Sequence, residues 1–151
     1  MDILRTTSEN LDFVALVSAL DKDLAERDGD EHAFYQQFNS IDALKYVVVG
    51  YANGKPLGCG AVKQFDLNSM EVKRMYVKPE FRGKGMAGKL LLELEKWTVE
   101  LGYTSCVLET GKRQPEAIAF YAKNGYESIA NYGQYKGIEN SVCFRKNLTS
   151  S

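Results

Sequence analysis

The sequence predicts an α/β (α+β) fold: a mixed, mostly antiparallel twisted sheet of about six to seven strands with about four helices on its faces. Three observations carry that expectation. Strand-like runs follow one another through the middle of the chain, joined by short turns. Segments with helical spacing of apolar residues stand before and after this meander. A glycine-rich stretch then joins the last strand of the meander to the clearest helix of the sequence.

In chain order, Asp2-Ile3-Leu4-Arg5-Thr6 reads as a short strand. Ser8 or Asn10 can cap a following helix whose apolar positions are Leu11, Val14, Leu16, Val17, Leu20 and Leu24, ending near Asp28-Gly29. A shorter helix with Phe34, Tyr35 and Phe38 comes next. Tyr46 to Ala52 is β-branched and apolar, Asn53-Gly54 is a hairpin turn, and Leu57 to Phe65 returns. After Asp66-Leu67-Asn68-Ser69 the strand from Met70 to Val77 alternates. Period two places Met70, Val72, Arg74 and Tyr76 on one face and Glu71, Lys73, Met75 and Val77 on the other. The helix after the glycine-rich stretch has an apolar face of Leu90, Leu91, Leu94, Trp97, Val99 and Leu101, and Gly102 stops it. Ser105 to Leu108 reads as a strand, Pro115 to Lys123 as a helix, and Glu127 to Asn131 with Ser141 to Arg145 as a closing strand pair.

At 151 residues the chain reads as one domain over residues 1–148, with a loose tail at 149–151. Nineteen basic and 20 acidic residues give a net charge of -1, which argues against a nucleic-acid or membrane-surface binder. Cys59, Cys106 and Cys143 are widely spaced and His32 is the only histidine, so no metal site is expected. The cysteines read as buried free thiols of a reducing compartment. Neither a signal peptide nor a membrane-spanning run is recognisable, and the expected location is cytoplasmic.

The glycine-rich stretch Arg82-Gly83-Lys84-Gly85-Met86-Ala87 between strand and helix predicts an anion site. The first-turn N–H groups of a helix have no partner within it, and the dipole adds positive charge there. Arg82, Lys84 and, a turn later, Lys89 add more. The P-loop reading fails because no Gly-Lys-Ser/Thr ending is present. Gly83 to Gly88 does fit the dinucleotide pattern G-x-G-x-x-G, with Glu109 about 20 residues on. In that pattern, however, the strand runs almost directly into the first glycine, whereas Lys78-Pro79-Glu80-Phe81-Arg82 intervene here, and the strands before it form antiparallel hairpins.

A third reading fits the whole context. The loop satisfies Gln/Arg-x-x-Gly-x-Gly/Ala, and it follows Val72-Lys73-Arg74-Met75-Tyr76-Val77. Further on stand Gln114-Pro115-Glu116-Ala117-Ile118-Ala119-Phe120-Tyr121 and Asn124-Gly125-Tyr126. Together these resemble the GCN5-related N-acetyltransferase (GNAT) family over roughly residues 45 to 146. The resemblance implies an acetyl-CoA-dependent N-acetyltransferase. It would transfer acetyl to a primary amine of a small molecule, amino acid or peptide, by direct attack in a ternary complex.

It further implies that Met75, Tyr76 and Val77 meet the pantetheine arm and polarise the thioester carbonyl through a backbone N–H. Arg82, Gly83, Lys84, Gly85, Met86, Ala87 and Gly88 would hold the pyrophosphate. Tyr121 takes the position of the family's general acid, against the plainer reading of a packing tyrosine. Glu71 takes that of a general base, against a solvated strand glutamate paired with a cross-strand lysine; Lys73 on the same face would lower its pKa and make it a weaker base. Gln114 and Asn124 are candidate cofactor contacts, with helix start and helix cap as their plainer readings. Tyr35 is a candidate wall of the acceptor pocket beside Glu71, while Phe34 and Phe38 read as core and His32 as surface. The acidic run Asp28-Gly29-Asp30-Glu31 reads as a solvated loop rather than an amine attractor. A homodimer through the final strands is compatible with the family, and no metal is called for. Two rival classes stand beside this reading: a non-catalytic CoA-binding module on the same fold, and the nicotinamide dinucleotide oxidoreductase.

Overall fold

A computed structural model gives the fold and describes residues 1–28 and 43–148. The strands are Asp2–Thr6 (β1), Tyr46–Ala52 (β2), Lys55–Gln64 (β3), Ser69–Val77 (β4), Ser105–Gly111 (β5), Glu127–Ile129 (β6) and Ser141–Asn147 (β7). The helices are Leu11–Asp28 (α1), Met86–Glu100 (α2) and Pro115–Lys123 (α3). The seven strands form one sheet in the order β1-β2-β3-β4-β5-β7-β6. Every pairing is antiparallel except β4 with β5. This mixed, mostly antiparallel sheet is the predicted class, and it cannot be the doubly wound parallel sheet that a dinucleotide fold needs. Three α-helices lie among the described residues, where about four were expected. The expected second helix, with Phe34, Tyr35 and Phe38, falls outside the described residues, as do His32 and the acidic run beyond Asp28.

Asn10 is the residue that caps α1: its Oδ1 accepts the Phe13 N–H at 3.0 Å. The buried face of α1 is Phe13, Leu16, Val17 and Leu20, which pack on Val47, Val49, Cys59 and Ala61. Leu11 and Val14, expected on that face, are 82% and 39% exposed, and Phe13 takes their place. Leu16, Val17, Leu20 and Leu24 lie where period counting put them, and only the first turn differs, because the count skipped Phe13.

On the other side of the sheet α2 buries Leu90, Leu91 and Leu94 against Val48, Val62, Met70 and Val72. Val99 and Leu101, expected with them, are 39% and 36% exposed. Glu95 and Thr98 are buried instead. The Glu95 carboxylate survives burial because Tyr126 donates to it at 2.9 Å and Lys146 pairs with it at 3.0 Å. Cys59, Cys106 and Cys143 are free and buried, as expected.

β4 departs from the predicted alternation. Ala61 on β3 faces Lys73, yet Cys59, only two residues earlier, faces Tyr76, so β4 carries an extra residue. The irregularity falls at Arg74, whose φ is 60°. Beyond it the faces exchange. Met75 shares the α2 side with Met70 and Val72, while Tyr76 packs on the α1 side and Glu71 lines a cleft with Leu20 and Leu24 of α1. The expectation that Glu71 and Met75 share a face is therefore corrected: period two holds only for a strand without a bulge.

Candidate active site

Two clefts meet where β4 and β5 part. Their parallel pairing covers only Ser69↔Ser105, Met70↔Cys106 and Glu71↔Val107, so the strands diverge after Glu71. The wedge they leave exposes backbone that a ladder would otherwise consume. One cleft, of ≈ 360 Å³, runs from Met75, Tyr76 and Val77 past Arg82, Gly83 and Ala87 to Phe120 and Tyr121. The other, of ≈ 130 Å³, is bordered by Glu71, Lys73, Arg74, Glu109, Tyr121 and Tyr135 among others. Leu20, Met75, Gln114, Ala117 and Tyr121 line both.

The floor of the larger cleft's mouth is the start of α2. A 3-10 turn at Pro79–Phe81 lifts the chain off β4. Gly83 and Gly85 then both take φ 78°, a conformation that L side chains avoid. Gly85 is the N-cap of α2, no side chain caps that end, and no acid stands in the first turn. The first N–H groups of α2 thus have no hydrogen-bond partner among the described residues, which suits an anion. A Cβ on Gly83 or Gly85 would meet nothing within 4 Å, so their backbone angles and not crowding call for glycine. Arg82 is held back on the strand: its Nε donates to the Val77 carbonyl at 2.8 Å, and its guanidinium lies 5.5 Å from the Tyr76 ring centre. Lys84 stands 6.0 Å over the Phe81 ring, and Met86 and Ala87 pack inward against the core.

Asn124 caps α3, with its Nδ2 donating to Phe120 O at 2.8 Å. Its Oδ1 lies 3.8 Å from where a Cβ on Gly88 would stand, so it also faces the first turn of α2. Gln114 begins α3 with no side-chain capping bond and lines both clefts.

Tyr121 is 8% exposed and packs edge-on against Phe120 and Tyr126 at 5.1 and 5.7 Å. Its hydroxyl has no protein partner among the described residues, and burial alone pushes its pKa well above the ordinary tyrosine value. Packing and a chemical role are thus compatible: the ring is held and the hydroxyl is left for whatever enters the clefts.

Glu71 is 5% exposed and does not stand alone. Tyr132 donates to its Oε2 at 2.7 Å, and Lys73 Nζ lies 3.6 Å from its Oε1. Burial and the neighbouring carboxylate keep the Tyr132 phenol protonated far above its usual range. Burial lowers the Lys73 pKa against the pull of Glu71. Glu109, two residues beyond Glu71's register partner, brings a second carboxylate to the cleft and accepts from Ser141 Oγ at 2.8 Å.

Tyr132, Tyr135 and Arg74 carry no site reading in the sequence; Glu109 stands there only in the rejected dinucleotide pattern and Lys73 only as a neighbour of Glu71. Tyr132 and Tyr135 come from the loop between β6 and β7, which closes when Asn131 Nδ2 donates to the carbonyls of Ile138 and Ser141 at 3.1 and 3.0 Å. No local pattern could join that loop to Glu71, 61 residues away. Arg74 was misplaced by the unseen bulge, and Tyr35 lies outside the described residues.

Comparison with known proteins reads the same frame. The Acetyltransferase (GNAT) family matches residues 13–126. The chain belongs to the GNAT family. It is 35% identical over 112 residues to the uncharacterized N-acetyltransferase YjgM of Escherichia coli, covering 72% of this chain and 66% of that one. It is also 35% identical over 89 residues to the IAA acetyltransferase of Azospirillum brasilense, covering 58% of each. The chain thus spans about two thirds or less of the length of these curated relatives. A Klebsiella pneumoniae protein assigned to the acyl-CoA N-acyltransferases superposes with a TM-score of 0.82 at 28% identity, over 98% of this chain and 97% of that one. PaiA N-acetyltransferase of Thermoplasma acidophilum, solved with coenzyme A, gives 0.72 at 20% identity over 97% and 98%, a likeness of fold. Among the described residues of this GNAT chain no helix is long and apolar enough to cross a membrane. No group of three or more His, Cys, Asp or Glu there is placed to hold a metal ion.

Proposed function

We propose that this chain transfers the acetyl group of acetyl-CoA to a primary amine, within a single domain spanning residues 1–148. One observation carries the reading: two clefts, one opening on the uncapped start of α2 and the other on Glu71, converge on Tyr121. The residues present fit the co-substrate. The N–H groups at Gly83 to Gly88 suit its pyrophosphate, and the unpaired edge of β4 at Met75 to Val77 suits the pantetheine amides. Acetyl-CoA supplies a thioester carbonyl for an amine to attack.

The chain's own groups then have separable tasks. A free amine is mostly protonated at neutral pH, so a base must take its proton before or during attack. Glu71 does this directly or through a water, with Tyr132 and Lys73 fixing its carboxylate. A backbone N–H near Met75 or Tyr76 stabilises charge on the thioester oxygen. Tyr121 gives its proton to the departing thiolate. Burial holds the phenol protonated, so its proton is present when the thiolate departs. Direct transfer fits better than an acyl-cysteine: none of Cys59, Cys106 and Cys143 lines either cleft, and burial raises the pKa of each thiol.

Incubation with acetyl-CoA and a panel of amines, following free thiol, tests the activity. A rise in melting temperature with acetyl-CoA but not with NADH tests the site. Thermal stabilisation without thiol release from any amine would leave a CoA-binding module instead, and stabilisation by NADH alone would overturn the reading. Gly85→Val should weaken acetyl-CoA binding about tenfold or more in calorimetry. Its forced φ costs about 1–2 kcal/mol and its side chain shields the helix amides. Unchanged affinity would remove the turn from the site.

A further inference from the structure

Arg74 is costly for the protein in two ways that its visible contacts do not repay. It is a non-glycine residue at φ 60° within a strand, a strained conformation. Its guanidinium is buried, with a side-chain exposure of 4%. It borders the smaller cleft, and its Nη1 donates to Asp21 Oδ1 of α1 at 2.9 Å. Its Nε is buried and has no hydrogen-bond partner among the described residues. Tying β4 to α1 needs one terminal nitrogen, a task a lysine performs without a fork of planar donors. A buried charged donor left without an acceptor calls for an explanation.

The other charges of the cleft are arranged around it. Lys73, the next residue, also borders the cleft with 8% side-chain exposure. The bulge is what sends both cations to the α1 side; regular alternation would have turned Arg74 and Lys73 to opposite faces. Glu71 and Glu109 border the same cleft. A space of ≈ 130 Å³ with a cationic wall and two carboxylates complements a small molecule that carries both charges. It fits a simple hydrophobic amine less well, since that would bring no negative charge to the wall that holds Arg74 and Lys73.

We propose that the acceptor is a free amino acid: its carboxylate is held by Arg74, and its amino group faces Glu71 and Glu109. This rests on the acetyl-transfer reading above. The carbonyl–sulfur bond of the thioester breaks and a carbonyl–nitrogen bond forms. The amine's proton passes to the base, the thiolate takes one from Tyr121, and the products are an N-acetylated amino acid and free CoA thiol. Arg74 is here a specificity-determining residue, since it binds the end of the acceptor that does not react.

The test compares kcat/KM for α-amino acids, their amides and their decarboxylated amines, beside melting-temperature shifts by the same compounds in the presence of CoA. The acids should exceed amides and amines by roughly ten- to a hundredfold, the worth of a charge-assisted hydrogen bond. Arg74→Gln should collapse that ratio toward one, whereas Asp21→Asn, which breaks only the tie to α1, should preserve it. Equal use of acids, amides and amines by the unaltered protein would overturn the proposal without any variant having to fold. So would the same loss of ratio in Asp21→Asn and Arg74→Gln, which would mark Arg74 as a tie between elements. If no acceptor turns over but acids alone stabilise the CoA-loaded protein, the transferase reading fails and the carboxylate site stands.

Discussion

Tyr121→Phe should lower kcat by about two orders of magnitude, the low end of what a positioned general acid contributes. The ring would stay in place. It is held by edge contacts with Phe120 and Tyr126 and a tilted contact with Phe144 at 6.3 Å, none of which uses the hydroxyl. No protein hydrogen bond among the described residues is lost with that oxygen, so stability should hardly change. Acetyl-CoA affinity, set mainly at the start of α2 some distance along the cleft, should also hold. The signature is thus a fall in kcat with the calorimetric Kd retained, measured under conditions where chemistry limits turnover. The pH dependence sharpens it. Because burial raises the phenol's pKa, Tyr121 remains protonated throughout the ordinary working range and contributes no falling alkaline limb to the rate profile. Any loss of rate as pH falls comes instead from protonation of the amine. Unchanged turnover in the Phe variant would take Tyr121 out of the mechanism.

The second large effect concerns stability. Gly58→Ala should cost about 1–3 kcal/mol, the usual penalty for overpacking a filled core. For a protein of this length that corresponds to a fall of about 3–10 °C in melting temperature. A Cβ at Gly58 would stand 2.7 Å from the carbonyl oxygen of Tyr76, 3.0 Å from Val77 Cγ2 and 3.1 Å from Leu90 Cδ1. The first of these is backbone and cannot swing aside, and the others belong to the β4–α2 contact. Gly60 is crowded differently, by the Met75 sulfur and by Leu94 Cδ1 at 2.9 Å. A methionine can move, so Gly60→Ala should be the milder of the two. Calorimetric unfolding of both variants checks the order. Since Tyr76 and Val77 line the larger cleft, Gly58→Ala should also weaken acetyl-CoA binding, while a surface substitution of similar size should not. A Gly58→Ala protein with unaltered melting temperature would show that α2 packs more loosely on β3 than the contacts imply.

The sequence by itself determined whatever depends on neighbours along the chain. The hairpin at Asn53-Gly54 needs two left-handed residues and has them, at φ 52° and 77°. The turn before α2 needs glycine at two positions, and the loop pattern announced it. The segments of β2 to β5 and of α2 and α3 followed from periodicity, and the separation of two motifs named the family. Tertiary structure alone decided the rest. One extra residue at Arg74 exchanged the faces of β4, separated Glu71 from Met75 and brought Lys73 and Arg74 to one side. Such a bulge is set by how β3, α1 and α2 pack on the strand, which two-residue alternation does not encode. The partners of Glu71 likewise arrive from a loop closed by Asn131, far along the chain, and Glu109 arrives by strand register. Dihedral preference and periodicity are local and can be read in a line of letters. The convergence of charged groups on one cleft is a sum of long-range contacts, and it exists only once the sheet has closed.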